Sequence, residues 1–380
     1  MKTANSERVH IGLFGATNSG KSTLLNFISG TDTAIVSDQK GTTTDPIRKA
    51  MEITDFGPVL LIDTAGSLDD SELSEKRLEK TRNIIDKTDI FIYLLSLDDD
   101  GKLLEQIKKK NKPIIYIASK SDLAEGEQIF EKYKDLAPVR INVKDLATRN
   151  GIFEKIKEVY KKDKLSITRD LVKEGDMVLL VMPQDKASPK DRLIKPQVMT
   201  IRELIDKKAT AIVTGLENFE KTLEKVKPDL IITDSQVFKE VYDKKPSDVR
   251  LTSFSVLFSA FKGDVTYFVD SVKLLDKDIK KILIAEACTH PPLDEDIGTV
   301  KIPKLIKKTH PNVEFEFARG DFSNDLSQYD LIISCGACMF NRATVLSKVE
   351  EAKKKNVPMT NYGIAIAYLN GILDKVVLPK

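Results

Sequence analysis

The octapeptide Gly15–Ser22 restricts the possible folds of this chain more than any other feature of its 380 residues. It reads GATNSGKS, which is the full G-x-x-x-x-G-K-S spacing of a nucleotide-binding P-loop. The apolar run Ile11–Phe14 precedes it, and the helical stretch Ser22–Ile28 follows it. In such an order, backbone N–H groups of the loop surround phosphate at the start of a helix. The sequence therefore predicts an α/β domain with a phosphate site.

Two further motifs are typical of the switch regions of GTP-binding domains. Residues 41–45, GTTTD, resemble a first switch segment, in which Thr43 would sense Mg²⁺ and the γ-phosphate. The run Asp63-Thr64-Ala65-Gly66 comes after an apolar strand pattern. There, Asp63 would hold Mg²⁺ through water and the Gly66 N–H would touch the γ-phosphate. Because no Gln follows Gly66, we expect slow intrinsic hydrolysis.

The run Ser119-Lys120-Ser121-Asp122 resembles the motif that selects guanine. The Asp122 carboxylate can accept both N–H groups of guanine, which adenine does not offer, and such an acceptor rejects the wrong base strongly. GTPases usually have Asn where Ser119 stands, and the last base motif, expected at residues 142–144, matches poorly. We therefore predict guanine selectivity with modest affinity.

Together these motifs predict a site for GTP or GDP with Mg²⁺. The predicted nucleotide-binding residues are Gly15, Asn18, Ser19, Gly20, Lys21, Ser22, Thr23, Lys120 and Asp122. The predicted catalytic residues are Lys21, Thr43, Asp63 and Gly66, and the predicted Mg²⁺ ligands are Ser22 and Thr43.

Apolar runs alternate with amphipathic helical stretches along almost the whole chain, which predicts α/β folding with parallel sheets. The charged segment 161–174 is typical of a linker, and Gly263 interrupts an apolar run near a second break. We predict a P-loop GTPase domain at 1–166 and two further α/β domains at 167–267 and 268–380.

The charge balance argues against a protein built mainly to bind nucleic acid or an anionic membrane. Lys and Arg total 60, Asp and Glu total 58, and the net charge is +2. Residues 1–8 lack a signal-peptide pattern, and the apolar runs are of strand length, so we expect a cytoplasmic protein without a membrane span.

The three cysteines form two groups in the last third of the chain. Cys288 follows one apolar run, and the pair Cys335 and Cys338 follows another. Ligand sites of parallel α/β sheets lie beyond the carboxyl ends of strands, so one site with three thiolates is predicted. Zinc would require a fourth firm ligand, whereas a [4Fe-4S] cluster with a replaceable position tolerates its absence. Three unconnected buried thiols and a redox C-x-x-C pair are the alternatives.

Asn18 and the Gly-Thr-Thr run at 41–43 resemble the TrmE/Era-like P-loop GTPases. That resemblance implies that Asn18 helps to bind K⁺ beside the phosphates, where the cation supplies the charge that an arginine finger supplies elsewhere. The alternative is that Asn18 only shapes the loop.

The C-terminal third resembles the HydF family, the GTPase maturation factors of [FeFe]-hydrogenase. The similar stretches are EACTH at 286–290, DIG at 296–298, IP at 302–303, CGACM at 335–339 and PMTNYG at 358–363. The resemblance extends over the whole chain as a GTPase domain, a dimerisation domain and a cluster domain. The family usually has His where this chain has Ser334, so the fourth iron ligand is open between His290, Asp296, and water or an incoming cyanide.

The resemblance implies a homodimeric GTPase that holds a [4Fe-4S] cluster and acts as scaffold and carrier. Its cargo would be a transient diiron subcluster, and its partners would be [FeFe]-hydrogenase and radical-SAM maturases. In the middle domain, the apolar run Leu251–Phe261 fits either a two-fold interface or core packing within one subunit. The alternatives are an RNA- or ribosome-associated GTPase with a structural zinc and a redox enzyme that uses the cluster for electron transfer.

Overall fold

The computed structural model divides the chain into two compact units, Met1–Asp163 and Lys164–Lys380. Both are α/β, as the alternation of apolar runs and amphipathic stretches predicts. The structure describes residues 5–16, 19–30, 46–64, 81–160, 166–183, 193–286, 296–319, 325–336 and 340–380.

The N-terminal unit is built on a six-stranded sheet. Its strands are β1 (Val9–Gly15), β2 (Arg48–Ile53), β3 (Gly57–Asp63), β4 (Ile90–Leu94), β5 (Ile114–Ala118) and β6 (Val139–Arg140). They lie in the order β2-β3-β1-β4-β5-β6, and only the pair β2–β3 is antiparallel. β1 and β4 are buried along their whole length, which is why they are continuous apolar runs.

Helices cover both faces of this sheet. They are α1 (Lys21–Ser29), α2 (described over residues 81–87), α3 (Lys102–Lys108), α4 (Ala124–Lys132) and α5 (Ala147–Val159). On one face, α1 and α5 bury Leu25 and Ile152 against the strands. On the other, α2, α3 and α4 contribute Ile85, Ile107 and Ile129. The layers leave the carboxyl ends of the parallel strands open to loops, where ligands of such sheets bind.

The C-terminal unit contains two four-stranded parallel sheets. The first consists of β7 (Met177–Val181), β8 (Thr210–Thr214), β9 (Leu230–Thr233) and β10 (Arg250–Ser253); the second consists of β11 (Lys281–Glu286), β12 (Glu314–Arg319), β13 (Leu331–Ser334) and β14 (Met359–Asn361). Their orders are β10-β9-β7-β8 and β12-β11-β13-β14. Numbered from the first strand of each sheet, both are 2-1-3-4, so one topology occurs twice.

The two sheets share a continuous hydrophobic core that includes Leu179 of β7 and Ile284 of β11. The helices of this unit are α6 (Lys195–Asp206), α7 (Phe219–Leu223), α8 (Phe238–Lys244), α9 (Phe254–Lys262), α10 (Val265–Val272), α11 (Ile302–Ile306), α12 (Arg342–Lys354) and α13 (Tyr362–Leu369). Because α9 packs against α12 and α13, and α10 packs against β14, the elements of one sheet cover the other.

Two sequence expectations are resolved by this packing. The run Leu251–Phe261 forms the end of β10 and most of α9, and it buries Phe254 and Phe258 inside the unit, so it is internal core. The linker prediction is wrong for residues 166–172, which bury Ile167 and Leu171. Charged residues surround these apolar residues in sequence, so hydrophobic periodicity does not reveal that they are buried.

Candidate functional site: a P-loop and a cysteine-bearing strand edge

The P-loop joins β1 to α1, as its spacing predicts. Gly20 precedes the helix with φ 98°, in the left-handed region that glycine adopts without the steric cost of a Cβ. The Lys21 side chain is buried, and its Nζ donates to the carbonyl oxygens of Gly15, at 3.1 Å, and Ala16, at 2.6 Å. The ammonium therefore lies against the loop backbone, next to the start of α1 where phosphate would bind.

Ser22 and Asp63 are brought together from two different elements. The Ser22 hydroxyl at the start of α1 donates to Asp63 Oδ2 at the end of β3, over 2.6 Å. The next residue, Thr64, donates through Oγ1 to the Leu13 carbonyl, also over 2.6 Å, which ties the end of β3 to β1. Two motifs that lie 41 residues apart in sequence thus form one constellation.

The chemistry of this pair fits a Mg²⁺ site. Asp63 Oδ1 is buried and has no hydrogen-bond partner among the described residues, so an acceptor remains for a metal-bound water. Burial raises the pKa of the Asp63 carboxyl, against the hydrogen bond from Ser22 and the charge of Lys21. Burial also lowers the pKa of Lys21. A divalent cation here would favour the ionised carboxylate.

The remaining predicted phosphate-site residues divide into two groups. Ser19 and Thr23 are described: the Ser19 N–H donates to the Ala16 carbonyl at 3.3 Å, and Thr23 lies on the exposed side of α1. Asn18, Thr43 and Gly66 lie outside the described residues, so their roles stay predictions.

The base motif follows β5 and is tied to the loop after β6. The Ser121 N–H donates to the Ile141 carbonyl at 3.2 Å, and Lys144 Nζ donates to Asp122 Oδ2 at 3.0 Å. The hydrogen bond from Lys144 lowers the pKa of Asp122. Lys144, the last residue of the poorly matching base motif, therefore contacts Asp122. Lys120 is exposed and pairs with Glu125, with both oxygens 2.8 Å from Nζ.

In the C-terminal unit, Cys335 lies at the point where the order of the sheet reverses. It directly follows β13, whose neighbour β11 is paired in parallel with Ala285 opposite Ser334. The Cys335 N–H donates to the Ala285 carbonyl at 2.9 Å. β11, the strand that precedes Cys288 in sequence, ends at Glu286, directly beside the end of β13. Crevices at such positions are the usual ligand sites of open α/β sheets.

A buried tyrosine, Tyr362, contacts the carboxyl end of β11. The Tyr362 hydroxyl donates to Glu286 Oε1 at 3.3 Å, and the Glu286 carboxylate is also 3.6 Å from Arg319 Nε. A Cβ on Gly298 would lie 2.1 Å from the Tyr362 hydroxyl oxygen, so the close approach requires glycine. Burial raises the pKa of Tyr362, and the negative charges of Cys335 and Glu286 act in the same direction.

The predicted metal ligands are only partly described. Asp296 caps the helical turn Ile297–Lys301, and its Oδ1 accepts from the N–H and the hydroxyl of Thr299 at 2.7 and 2.9 Å. Cys288, His290 and Cys338 lie outside the described residues. Within the described ranges, no three His, Cys, Asp or Glu side chains converge as a metal site would require. The donor chemistry of three thiolates still fits an iron–sulfur cluster, and the fourth ligand stays a prediction.

Sequence reasoning missed Lys144, Gly298 and the Tyr362–Glu286 pair as parts of these sites. Glu286 and Tyr362 belong to stretches singled out for a family resemblance, but nothing in the pattern indicates that they contact each other.

Family models match three parts of the chain. Residues 167–263 match the hydrogen maturase F dimerization domain, and residues 266–379 match the hydrogen maturase F tetramerization domain. Residues 10–120 match a model described as a 50S ribosome-binding GTPase. The chain therefore has a P-loop GTPase domain and two domains of one maturase family.

Curated relatives are similar to the N-terminal part. GTPase Der of Borreliella burgdorferi is 35% identical over 182 residues, which cover 42% of this chain and 41% of that protein. The tRNA modification GTPase MnmE of Methylobacterium radiotolerans is 41% identical over 117 residues, covering 30% of this chain and 26% of that protein. The chain spans less than half the length of these relatives.

Two solved structures are similar to part of the chain. The G domain of the T. maritima FeoB iron transporter is 27% identical, with 40% of this chain and 98% of that chain covered and a TM-score of 0.32. Aquifex aeolicus Era is 18% identical, with 55% and 94% covered and a TM-score of 0.33. Of the helices in the described ranges, none has the length and apolar character to cross a bilayer.

Proposed function

The chain belongs to the HydF family of hydrogen maturases, and from that membership we propose that it is a GTP-hydrolysing scaffold and carrier with an iron–sulfur cluster. Its work would be the assembly and transfer of the diiron subcluster to [FeFe]-hydrogenase. The observation that best supports the cluster is the position of Cys335 at the switch point between β11 and β13, with Cys288 three residues beyond the paired Ala285.

GTP hydrolysis would take place at the P-loop. Lys21 would bind the β- and γ-phosphates, Ser22 and Thr43 would hold Mg²⁺, and Asp63 would orient its water; the ion supplies charge neutralisation at the phosphates. Asn18 would bind K⁺. The GTP-dependent order of Thr43 and the Gly66 loop would then change contacts with partner proteins.

This first step is tested by steady-state GTP hydrolysis in K⁺ and in Na⁺ at equal ionic strength. We expect faster turnover in K⁺ and loss of turnover in Lys21→Ala, whereas Lys155→Ala, which removes a half-buried lysine of α5, stays within twofold of wild type. Equal rates in the two salts would remove the assigned role of Asn18. Normal turnover of Lys21→Ala would remove the P-loop assignment.

The cluster would be held by Cys288, Cys335 and Cys338, with His290 or Asp296 as the candidate fourth ligand. Thiolates favour iron–sulfur clusters or zinc, so chemical analysis of anaerobically purified protein separates the two candidate sites. We expect iron and sulfide in equal amounts and no zinc. One zinc per chain without sulfide would favour the ribosome-type GTPase instead.

Self-association is a property of both matched maturase domains. We propose that one interface lies on α6 and β8. β8 is an edge strand, and Val213 on it and Val198 and Ile205 on α6 are exposed apolar side chains. Exposed apolar residues next to an open strand edge favour pairing with a second copy. By the family resemblance, the further partners are [FeFe]-hydrogenase and radical-SAM maturases.

A further inference from the structure

A groove in the C-terminal unit is lined by residues other than Cys335, Glu286 and Tyr362. Residues 236–244, which end in α8, form one wall, and the other wall runs from Lys301 through α11 to Lys308. α13 contributes Ile366, and Asn370 follows at the end of that helix. The groove has a volume of about 610 Å³, within the range of roughly 300–1,000 Å³ that is usual for ligand pockets.

The two walls differ in how their charges are balanced. On α8, Lys239 pairs with Asp243 at 2.7 Å, and Lys244 lies 3.3 Å from both Glu220 and Glu240, so these lysines are neutralised locally. On the α11 wall, Lys301, Lys304 and Lys308 make no ion pair or side-chain hydrogen bond with any residue that the structure describes. The second wall therefore presents three uncompensated positive charges to the groove.

Apolar groups also line the groove. Val237 lies on the α8 wall, Leu305 on the α11 wall, and Ile366 on α13. An occupant that matches this pattern needs carboxylates toward the α11 wall and an apolar side chain between them. A simple inorganic anion would leave the apolar groups uncovered.

Continuous nucleic acid fits less well, because the lysines of the α8 wall are paired with Asp243 and Glu240. That wall therefore offers a uniform row of phosphates no net positive charge. A short peptide can place acidic groups on one side only.

From this combination we propose that the groove docks an acidic, amphipathic peptide segment of a partner protein, through Lys301, Lys304 and Lys308. The inference rests on the proposed carrier function, because that function gives the chain a reason to bind a partner. The groove itself contains none of the nucleotide-binding or cysteine residues. Charge complementarity would set the encounter rate and the register, and the apolar contact would add affinity.

The test measures how tightly the full-length protein binds a fluorescein-labelled peptide of alternating Glu and Leu. Fluorescence anisotropy reports the binding at low and at high salt. We expect binding to weaken about tenfold in the triple variant Lys301→Ala, Lys304→Ala, Lys308→Ala, because each lysine contributes a modest charged contact. The matched control is Lys225→Ala, Lys227→Ala, Lys354→Ala, which removes the same charge from exposed lysines outside the groove. It should bind within twofold of wild type.

Equal weakening in both triple variants, absence of peptide binding, or equally tight binding of a single-stranded oligonucleotide would overturn the proposal. GTP turnover and iron content are measured on the same samples. If these two properties are normal in the groove variant while peptide binding is lost, the docking role stands apart from the proposed function. If they are absent already in the wild type, the proposed function fails, and the docking proposal is still decided by peptide binding alone.

Discussion

At the scale of single residues, the contact between Lys144 and Asp122 is the least expected feature of the nucleotide site. Asp122 is the predicted acceptor for guanine, yet its Oδ2 accepts a hydrogen bond from Lys144 at 3.0 Å. The lysine lies on the loop after β6, where the last base motif belongs, and this loop begins at Ile141, which accepts from the Ser121 N–H. A cation on this carboxylate competes with the N–H groups of the base.

We therefore predict that Lys144→Ala binds GDP more tightly, by about two- to fivefold, because an exposed ion pair is weak and its loss leaves the carboxylate to the base. Lys155→Ala, which breaks the exposed pair with Glu158 in α5, is the matched control and should not change affinity. Titration with a fluorescent GDP analogue measures both. Weaker binding in Lys144→Ala would mean that Lys144 supports the base loop instead of competing with it.

The arrangement of the P-loop could be predicted because it depends on local spacing. The P-loop fixes Gly20, Lys21 and Ser22 relative to one helix start, and the structure places them there. Lys144, by contrast, reaches Asp122 across 22 residues of sequence. No local pattern encodes such a contact.

At the scale of elements, α4 approaches the base loop so closely that one of its residues must be glycine. A Cβ on Gly126 would lie 2.0 Å from the Lys120 carbonyl oxygen and 2.9 Å from that of Ser119. Gly126 is buried in the first turn of α4. The helix therefore positions the loop that holds Asp122.

Gly126→Ala should displace this loop and weaken GTP binding by at least about tenfold, since backbone atoms cannot yield as a flexible side chain can. Gly151→Ala in α5 is the control, because its Cβ would meet only Val139 Cγ1 at 3.5 Å. That substitution should stabilise the unit by about 0.5–1 kcal/mol through helix propensity. Nucleotide titration and thermal unfolding of both variants give the comparison. Unchanged affinity in Gly126→Ala would contradict the positioning role.

Most strands coincide with apolar patterns that a sequence reveals, whereas β2, β6, β10 and β14 give a weaker strand signal. β2 alternates exposed and half-buried residues at the edge of its sheet, and β6 has only two residues. β10 and β14 are short and lead directly into helices. Their strand character comes from parallel pairing with β9 and β13, which is a tertiary effect.

At the scale of the whole molecule, the C-terminal unit repeats one sheet topology that its sequence does not reveal. Equivalent positions are occupied by different residues: Asp234 follows β9 where Cys335 follows β13. The helix caps correspond, since the Ser253 side chain accepts from the Val256 N–H and the Asn361 side chain from the Ile364 N–H. Many residue types can fill a buried or a capping position. The two sheets therefore share a topology although their sequences differ.

Of the three predicted cysteine ligands, only Cys335 lies within the described residues. Cys335 lies directly after the carboxyl end of β13, and β11 is the strand next to β13. Ligands of parallel sheets bind at such strand ends. The choice of a fourth ligand depends on which side chains converge in space, and spacing alone cannot decide between His290 and Asp296.

The central claim is that one chain combines a GTPase site with a separate three-thiolate cluster site. The most direct measurement is the iron and sulfide content of Cys288→Ser, Cys335→Ser and Cys338→Ser after anaerobic reconstitution, with GTP turnover measured on the same samples. Each variant should lose the 4Fe cluster, because a serine alkoxide is a poor ligand for a soft metal site, and each should hydrolyse GTP within about twofold of wild type. Full iron and sulfide in all three variants would contradict the account.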